Sequence, residues 1–204
     1  MGAHGTGLLL VAAFGVFLTG AAFWRIDEFE RPNLEGRLVA VARRMPRWRW
    51  IHGWMVAGTV TSAVAVVALA RLLTPERGGL ATIAAVASAL GCGAMLGSLA
   101  LGLTSTPRAA IEVVRTGALP DGYERWSRRA NRLYETHMVL AYGTWVVLGI
   151  ALLRSPLLSD WVGWVGIALG AAALVGFVTV RGPFAPPILA HFYGLVVGLA
   201  LLRT

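Results

Sequence analysis

The chain has 204 residues, 57% of them apolar and 14% charged, with a net charge of +8; an ordinary soluble domain is ~25% charged. All 18 basic residues are Arg, there is no Lys or Gln, and Cys92 is the single thiol. These absences exclude a Lys Schiff base, a Walker A phosphate loop, an internal disulfide and any multi-thiolate zinc or iron–sulfur site.

A mean hydropathy of +0.69 describes a polytopic membrane protein. The expected counter-charge for so much Arg is then the anionic lipid headgroup, not nucleic acid. A bilayer core of ~30 Å needs ~20 mostly apolar residues in a helix. Six stretches qualify: 6–24, 51–73, 79–103, 134–154, 157–180 and 185–202. The expected fold is all-α, a single transmembrane domain over 1–204 with six transmembrane helices and interfacial amphipathic helices. The first stretch has signal-peptide length. Its start, Met1-Gly2-Ala3-His4-Gly5, carries no Arg, and Phe23-Trp24-Arg25 is a poor cleavage site, so it reads as an uncleaved span.

In the first long loop, 25–50, Pro32 and Pro46 bracket a helical segment. Leu34, Leu38, Val41 and Met45 form one apolar stripe, with Arg37, Arg43 and Arg44 off it. This predicts an interfacial amphipathic helix, followed by Arg47-Trp48-Arg49-Trp50 at headgroup level. Span two carries His52-x5-Gly58-Thr59. In span three, Ala81, Ala85, Ala89, Gly93 and Gly97 recur every four residues, a stripe that lets another backbone approach and predicts a central position.

The second long loop, 104–133, has two helix-start signals. Thr106-Pro107 opens a short helix, and Asp121 with Glu124 is a capping-box-like start for a helix continuing into span four. Span four carries His137-x5-Gly143-Thr144, repeating the spacing of span two. The exits Ala-Leu-Ala-Arg71 and Ala-Leu-Leu-Arg154 also match, which suggests that hairpins 2–3 and 4–5 are one repeated unit. Asp160 opens span five, where a carboxylate complements the helix dipole. Gly166-x3-Gly170 and Gly194-x3-Gly198 offer packing surfaces in the last two spans, and Pro183, Pro186 and Pro187 set the start of the sixth.

Fourteen Arg fall on the side of the two long loops. Four (Arg71, Arg77, Arg154 and Arg203) fall on the other. The asymmetry places the long loops in the cytoplasm and both termini outside. Abundant Ala, Gly, Val and Arg without Lys fits a GC-rich bacterial genome, hence a bacterial plasma membrane.

Ionisable groups inside a span are expensive and mark functional candidates. They are His52, Glu135, His137, Asp160 and His191. Counting 1.5 Å per residue back from Arg71 and Arg154 puts His52 and His137 at one depth, ~26–28 Å from the outer boundary; His191 lies ~18 Å from Arg203. Two imidazoles facing across a bundle are the axial set of a b-type haem, so His52 and His137 are candidate haem ligands. His191 is a candidate metal ligand. Glu135 and His137, two apart on a helix, point in different directions and do not share one ion.

Ala190-His191-x2-Gly194-x3-Gly198 resembles the last-span motif of rhomboid intramembrane proteases, and Gly91-Cys92-Gly93-Ala94 is similar to their Gly-x-Ser-Gly nucleophile segment. The resemblance covers some 15 residues and implies Cys92 as nucleophile with His191 as base. It departs in placing a thiol on span three and Leu90 where that family has Gly. The run from Ala-Leu-Leu-Arg154 through Asp160-Trp-Val-Gly-Trp-Val-Gly166, with Gly182-Pro-Phe-Ala-Pro-Pro187, resembles small six-helix bacterial membrane proteins. That resemblance implies the fold and no activity.

Three classes of function follow. A structural or lipid-interacting membrane protein leads; a haem-binding electron carrier using His52 and His137 is second, and a small transporter of a hydrophobic substrate is third. The expected partners are the bilayer and its anionic headgroups, with a homo-oligomer permitted by the small-residue stripes.

Overall fold

The computed structural model describes residues 1–22, 33–180 and 187–204, without the side chains of 74–78, 187, 188 and 190. The expectations resting on Arg25, Arg31, Pro32, Arg77, Arg181, Pro183, Pro186 and the side chain of Pro187 lie outside the described residues. Six helices are described: α1 (Ala3–Ala21), α2 (Leu34–Arg43), α3 (Met45–Thr116), α4 (Tyr123–Leu153), α5 (Asp160–Val180) and α6 (Pro187–Leu201).

α3 is a single helical run of 72 residues in two antiparallel arms, α3a (Met45–Leu73) and α3b (Gly79–Thr116). The Trp48 indole N–H donates to the Gly102 carbonyl at 2.9 Å, across 54 positions. The Cys92 thiol lies 3.9 Å from the Thr59 carbonyl, across 33. A straight helix would separate these pairs by roughly 80 and 50 Å. The arms therefore fold back on one another.

Among the described residues five segments are long and apolar enough to cross a bilayer: α1, α3a, α3b, α4 and α5. α6 is apolar but has 15 residues, about 22 Å of helix. The chain is a helical protein embedded in a membrane.

Lipid gives helices no hydrophobic reason to associate, so close backbone approach and van der Waals contact must do so. α4 and α5 meet where a Cβ on Gly149 would stand 2.6 Å from the Gly163 carbonyl oxygen, and one on Gly163 would stand 2.7 Å from that of Gly149. α1 and α6 meet in the same way at Gly7 and Gly198. α4 is the most enclosed segment, with 50% of its apolar window buried, against 22% for α3b. This corrects the expectation that span three is central. Ala89 and Gly93, on its small-residue stripe, are exposed. Of the stripe only Ala81 is buried; Ala84, Gly91, Met95 and Leu99, also buried, lie displaced around the helix from it. Small residues permit a close approach, but larger neighbours decide which face is used.

A second apolar cluster joins α2 to the far ends of α3 and α4. Leu38 and Val41 pack with Trp48, Ile51, Ala109, Ala110, Val113 and Tyr123. The stripe predicted to lie on lipid is covered by protein, with Leu38 and Val41 at 0% exposure. α2 starts at Asn33, whose side-chain oxygen accepts the Gly36 N–H at 2.8 Å. Trp48 is buried and Trp50 exposed, so the Arg-Trp run has one aromatic ring facing protein.

Both start signals in the second loop are also revised. α3b runs through Pro107 without a new beginning and ends at Gly117, whose φ of 74° closes the helix with an N–H bond to the Val113 carbonyl. The Thr106 hydroxyl hydrogen-bonds that of Tyr123 at 3.2 Å. α4 begins after Gly122, not Asp121, and Glu124 pairs with Arg128 at 3.2 Å.

Candidate functional site

A cavity of about 40 Å³ lies among α3a, α3b, α4 and α6. That is room for one to a few water-sized groups. α3a contributes Thr59 and Ser62; α3b contributes Gly91 and Cys92. α4 contributes His137, Thr144 and Trp145, and α6 contributes His191. Thr59 lies 12 residues before Arg71, and His191 lies 12 before Arg203. At 1.5 Å per residue both are ~18 Å from their exit Arg, whereas His137, 17 residues before Arg154, is ~26 Å from its own, so the exits do not give the cavity one depth.

His137 is fixed by one hydrogen bond. Its Nδ1 is 3.0 Å from the Gly91 carbonyl oxygen. A carbonyl can only accept, so Nδ1 carries the hydrogen and the neutral ring is left with a bare lone pair on Nε2. Gly91 makes this possible: a Cβ there would come within 3.2 Å of the Leu140 Cβ and 3.7 Å of His137 Nδ1. His191 is held on two sides. Its Nδ1 is 2.8 Å from the Ser62 hydroxyl oxygen, and the Phe17 ring of α1 stacks on it at 3.7 Å between centroids.

Three residues that line this cavity each keep a buried ring nitrogen with no hydrogen-bond partner: His137 Nε2, His191 Nε2 and Trp145 Nε1. The histidines are only 6% and 7% exposed. A buried polar group left unpaired costs about 1–3 kcal/mol, so three on one cavity are a considerable burden. The hydroxyls beside them are already committed, Thr59 to the Met55 carbonyl at 2.7 Å and Thr144 to the Leu140 carbonyl at 2.8 Å. Tyr193 donates to the Val162 carbonyl at 3.0 Å and sets its ring edge-on to the Trp145 indole at 5.0 Å.

Of the predicted site residues, the structure brings His137 and His191 to one cavity and leaves His52 elsewhere. The His52 Nδ1 is 3.0 Å from the Trp48 carbonyl, and its ring lies against Gly102, where a Cβ would stand 2.7 Å from Nε2. Gly102 and Gly91 are 11 positions apart on one arm, or about 16 Å of helix. Two axial ligands of one haem lie about 4–5 Å apart, twice a metal–nitrogen bond. His52 and His137 do not form that pair here, and the 40 Å³ chamber does not hold a macrocycle. The depth argument from the Arg exits fails because α3a and α4 are staggered: Thr59, not His52, shares the chamber with His137. Thr59 and Thr144, the ends of the two matching motifs, both reach the chamber; Gly58 abuts Phe17 while Gly143 faces open space.

Cys92 and His191 line the same cavity, but the hydrogen bond of His191 goes to Ser62. Glu135 is half-buried and does not line it. Among the described residues no three of His, Cys, Asp and Glu form a metal-binding group. Sequence reasoning missed Ser62, Trp145 and Phe17, and met Gly91 only as part of the rhomboid-like segment. Only Trp145 carried a signal, as an indole N–H deep within a span. No family model, curated protein or solved structure matches this chain.

Proposed function

We propose that the protein is a small membrane carrier or receptor that binds a small polar species in its histidine chamber. A single observation carries the reading: His137, His191 and Trp145, which line one cavity among four helical segments, each keep a buried ring nitrogen without a hydrogen-bond partner. Intramembrane ionisable groups that face a cavity mark substrate and ion pathways. A site at mid-depth between packed helices is where carriers hold their cargo. The cavity is water-sized, and Thr59, Ser62, His137 and His191 place polar side chains among its apolar lining of Ala63, Val66 and Ala141.

In this reading α6 is the sixth crossing. Both termini lie outside a bacterial plasma membrane, and the Arg-rich loops face anionic headgroups on the cytoplasmic side. A second reading, a lipid-engaging scaffold, is favoured by the fourteen-to-four Arg asymmetry. In that case the histidines serve packing alone.

Unfolding of His137→Leu and His191→Phe in detergent separates the two. Residues kept for a ligand are not kept for stability. The binding reading expects each variant to stay within about 1 kcal/mol of the parent, because removing an orphaned nitrogen offsets the lost Nδ1 bond. A loss above about 3 kcal/mol in both variants supports histidines held for packing and contradicts the binding reading.

A further inference from the structure

We propose that the outward face of α3b is where two copies of this chain meet, side by side in the bilayer. The inference stands apart from the histidine chamber, so either can fail without the other.

The face is read from exposure. Val86, Ala89, Gly93, Ala100, Ile111 and Val114 are all exposed, and they follow one another at steps of 3, 4, 7, 11 and 3 residues. At 3.6 residues per turn these steps keep them on one side of the helix, with the buried Pro107 as an interruption. α3b is also the least enclosed of the five crossing segments, with 22% of its apolar window buried.

The face has two unlike halves. Ahead of Gly102 it carries the small residues Ala89, Gly93 and Ala100. A Cβ on Gly93 would meet nothing within 4 Å, so this glycine serves no contact within the chain, although glycine is a poor helix former. Small residues on the outside of a span let another helix backbone come close. Past Gly102 the face turns large and apolar, with Ile111 and Val114 each 60% exposed. Gly102 accepts the Trp48 indole N–H, from the Arg-Trp run expected at headgroup level. Ile111 and Val114 lie 9 and 12 residues further on, about 14 and 18 Å of helix. The headgroup layer is only about 5–7 Å deep on each side, so lipid does not cover them.

One occupant answers both halves. Lipid covers Gly93 and not Ile111; a soluble protein covers Ile111 and does not reach Gly93 inside the bilayer. A second copy, related by a two-fold axis along the bilayer normal, covers both, because it sets each residue beside its own counterpart at the same depth. From Val86 to Val114 the face is about 42 Å long, and at a helix width of ~10 Å each copy buries roughly 400 Å². About 800 Å² in all is at the low end for specific pairs, so the dimer forms in a membrane and separates on dilution in detergent.

The test is cross-linking of the full-length protein in lipid bilayers. Cys92→Ser removes the single thiol, and each variant then gains one cysteine: Gly93→Cys, Ile111→Cys, or Val178→Cys on the exposed side of α5. Molecular iodine enters the bilayer, oxidises neighbouring thiols to a disulfide and is itself reduced to iodide. The expected result is a disulfide-linked dimer for Gly93→Cys and Ile111→Cys and a monomer for Val178→Cys. With one dye per chain, the parent bleaches in two steps at the same protein-to-lipid ratio. Gly93→Leu adds bulk to the outward face and shifts the protein to single-step bleaching, while its thermal midpoint in detergent stays that of the parent. Ile111→Ser gives the same shift from outside the bilayer. A parent that bleaches in one step, cross-linking at 93 and 111 no better than at 178, or two-step bleaching retained by both Gly93→Leu and Ile111→Ser overturns the proposal.

Discussion

The Gly91 carbonyl oxygen stands 3.0 Å from His137 Nδ1, joining α3b to α4 and fixing which nitrogen of the ring faces the chamber. The bond depends on a glycine, because any side chain at 91 would press on Leu140 in the same turn of α4. A local packing requirement and the chemistry of the site are therefore set by one position.

Gly91→Ala tests that coupling. Its Cβ would lie 3.2 Å from the Leu140 Cβ, so α4 must move outward. The expected cost is about 1–3 kcal/mol, the range for overpacking. Gly93→Ala, where nothing lies within 4 Å of the new Cβ, should stay within about 0.5 kcal/mol of the parent. Reversible unfolding in detergent, followed by far-ultraviolet circular dichroism, checks the contrast. Equal effects at the two positions would show that helix propensity, not the α3b–α4 contact, is being measured.

Gly102 is the seat of His52 and Trp48. A Cβ there meets His52 Nε2 at 2.7 Å and disturbs the carbonyl that accepts the Trp48 indole at 2.9 Å. Gly102→Ala should cost about 1–3 kcal/mol. His52→Ala should relieve much of it, so a double-mutant cycle should show a coupling of at least about 1 kcal/mol. Strict additivity would mean that the ring and the glycine do not press on one another.

The α4–α5 crossing should be the least tolerant place in the bundle. At Gly149 the nearest obstacle is the Gly163 backbone oxygen, which cannot swing aside as a side chain can. Gly149→Ala should destabilise by more than 2 kcal/mol, near the upper part of the overpacking range of roughly 1–3 kcal/mol. Gly143→Ala, one helical face away and open, should be nearly silent. Thermal midpoints of the two variants in the same detergent decide it.

Much of the architecture was legible because the bilayer imposes simple demands. Apolar length located the crossing segments, and the 3–4 spacing of Leu34, Leu38 and Val41 located α2 with its buried face. The identity of what covers that face was not legible: lipid and the Ala109–Val113 surface satisfy an apolar stripe equally well. The site was half legible. His137 and His191 stood out as costly groups in spans, but their meeting depends on how α6 sits against α4, and the absence of His52 on the stagger of α3a against α4, neither of which the Arg exits encode. Ser62 and Gly91 are common residue types in this chain, and only the fold gives them a role. Phe17 lies in the first span, far from both histidines in sequence, and reaches His191 only through the close packing of α1 on α6.

The central claim, that His137 and His191 line one binding cavity, is tested most directly by water-edited ¹⁵N nuclear magnetic resonance of histidine-labelled protein in lipid bilayers, with His137→Leu and His191→Phe supplying the assignments. The account predicts a neutral His137 with hydrogen on Nδ1 and none on Nε2, and rapid magnetisation transfer from water to both Nε2 positions. His137 with its hydrogen on Nε2, or transfer from water as slow as that of buried apolar residues, would contradict it.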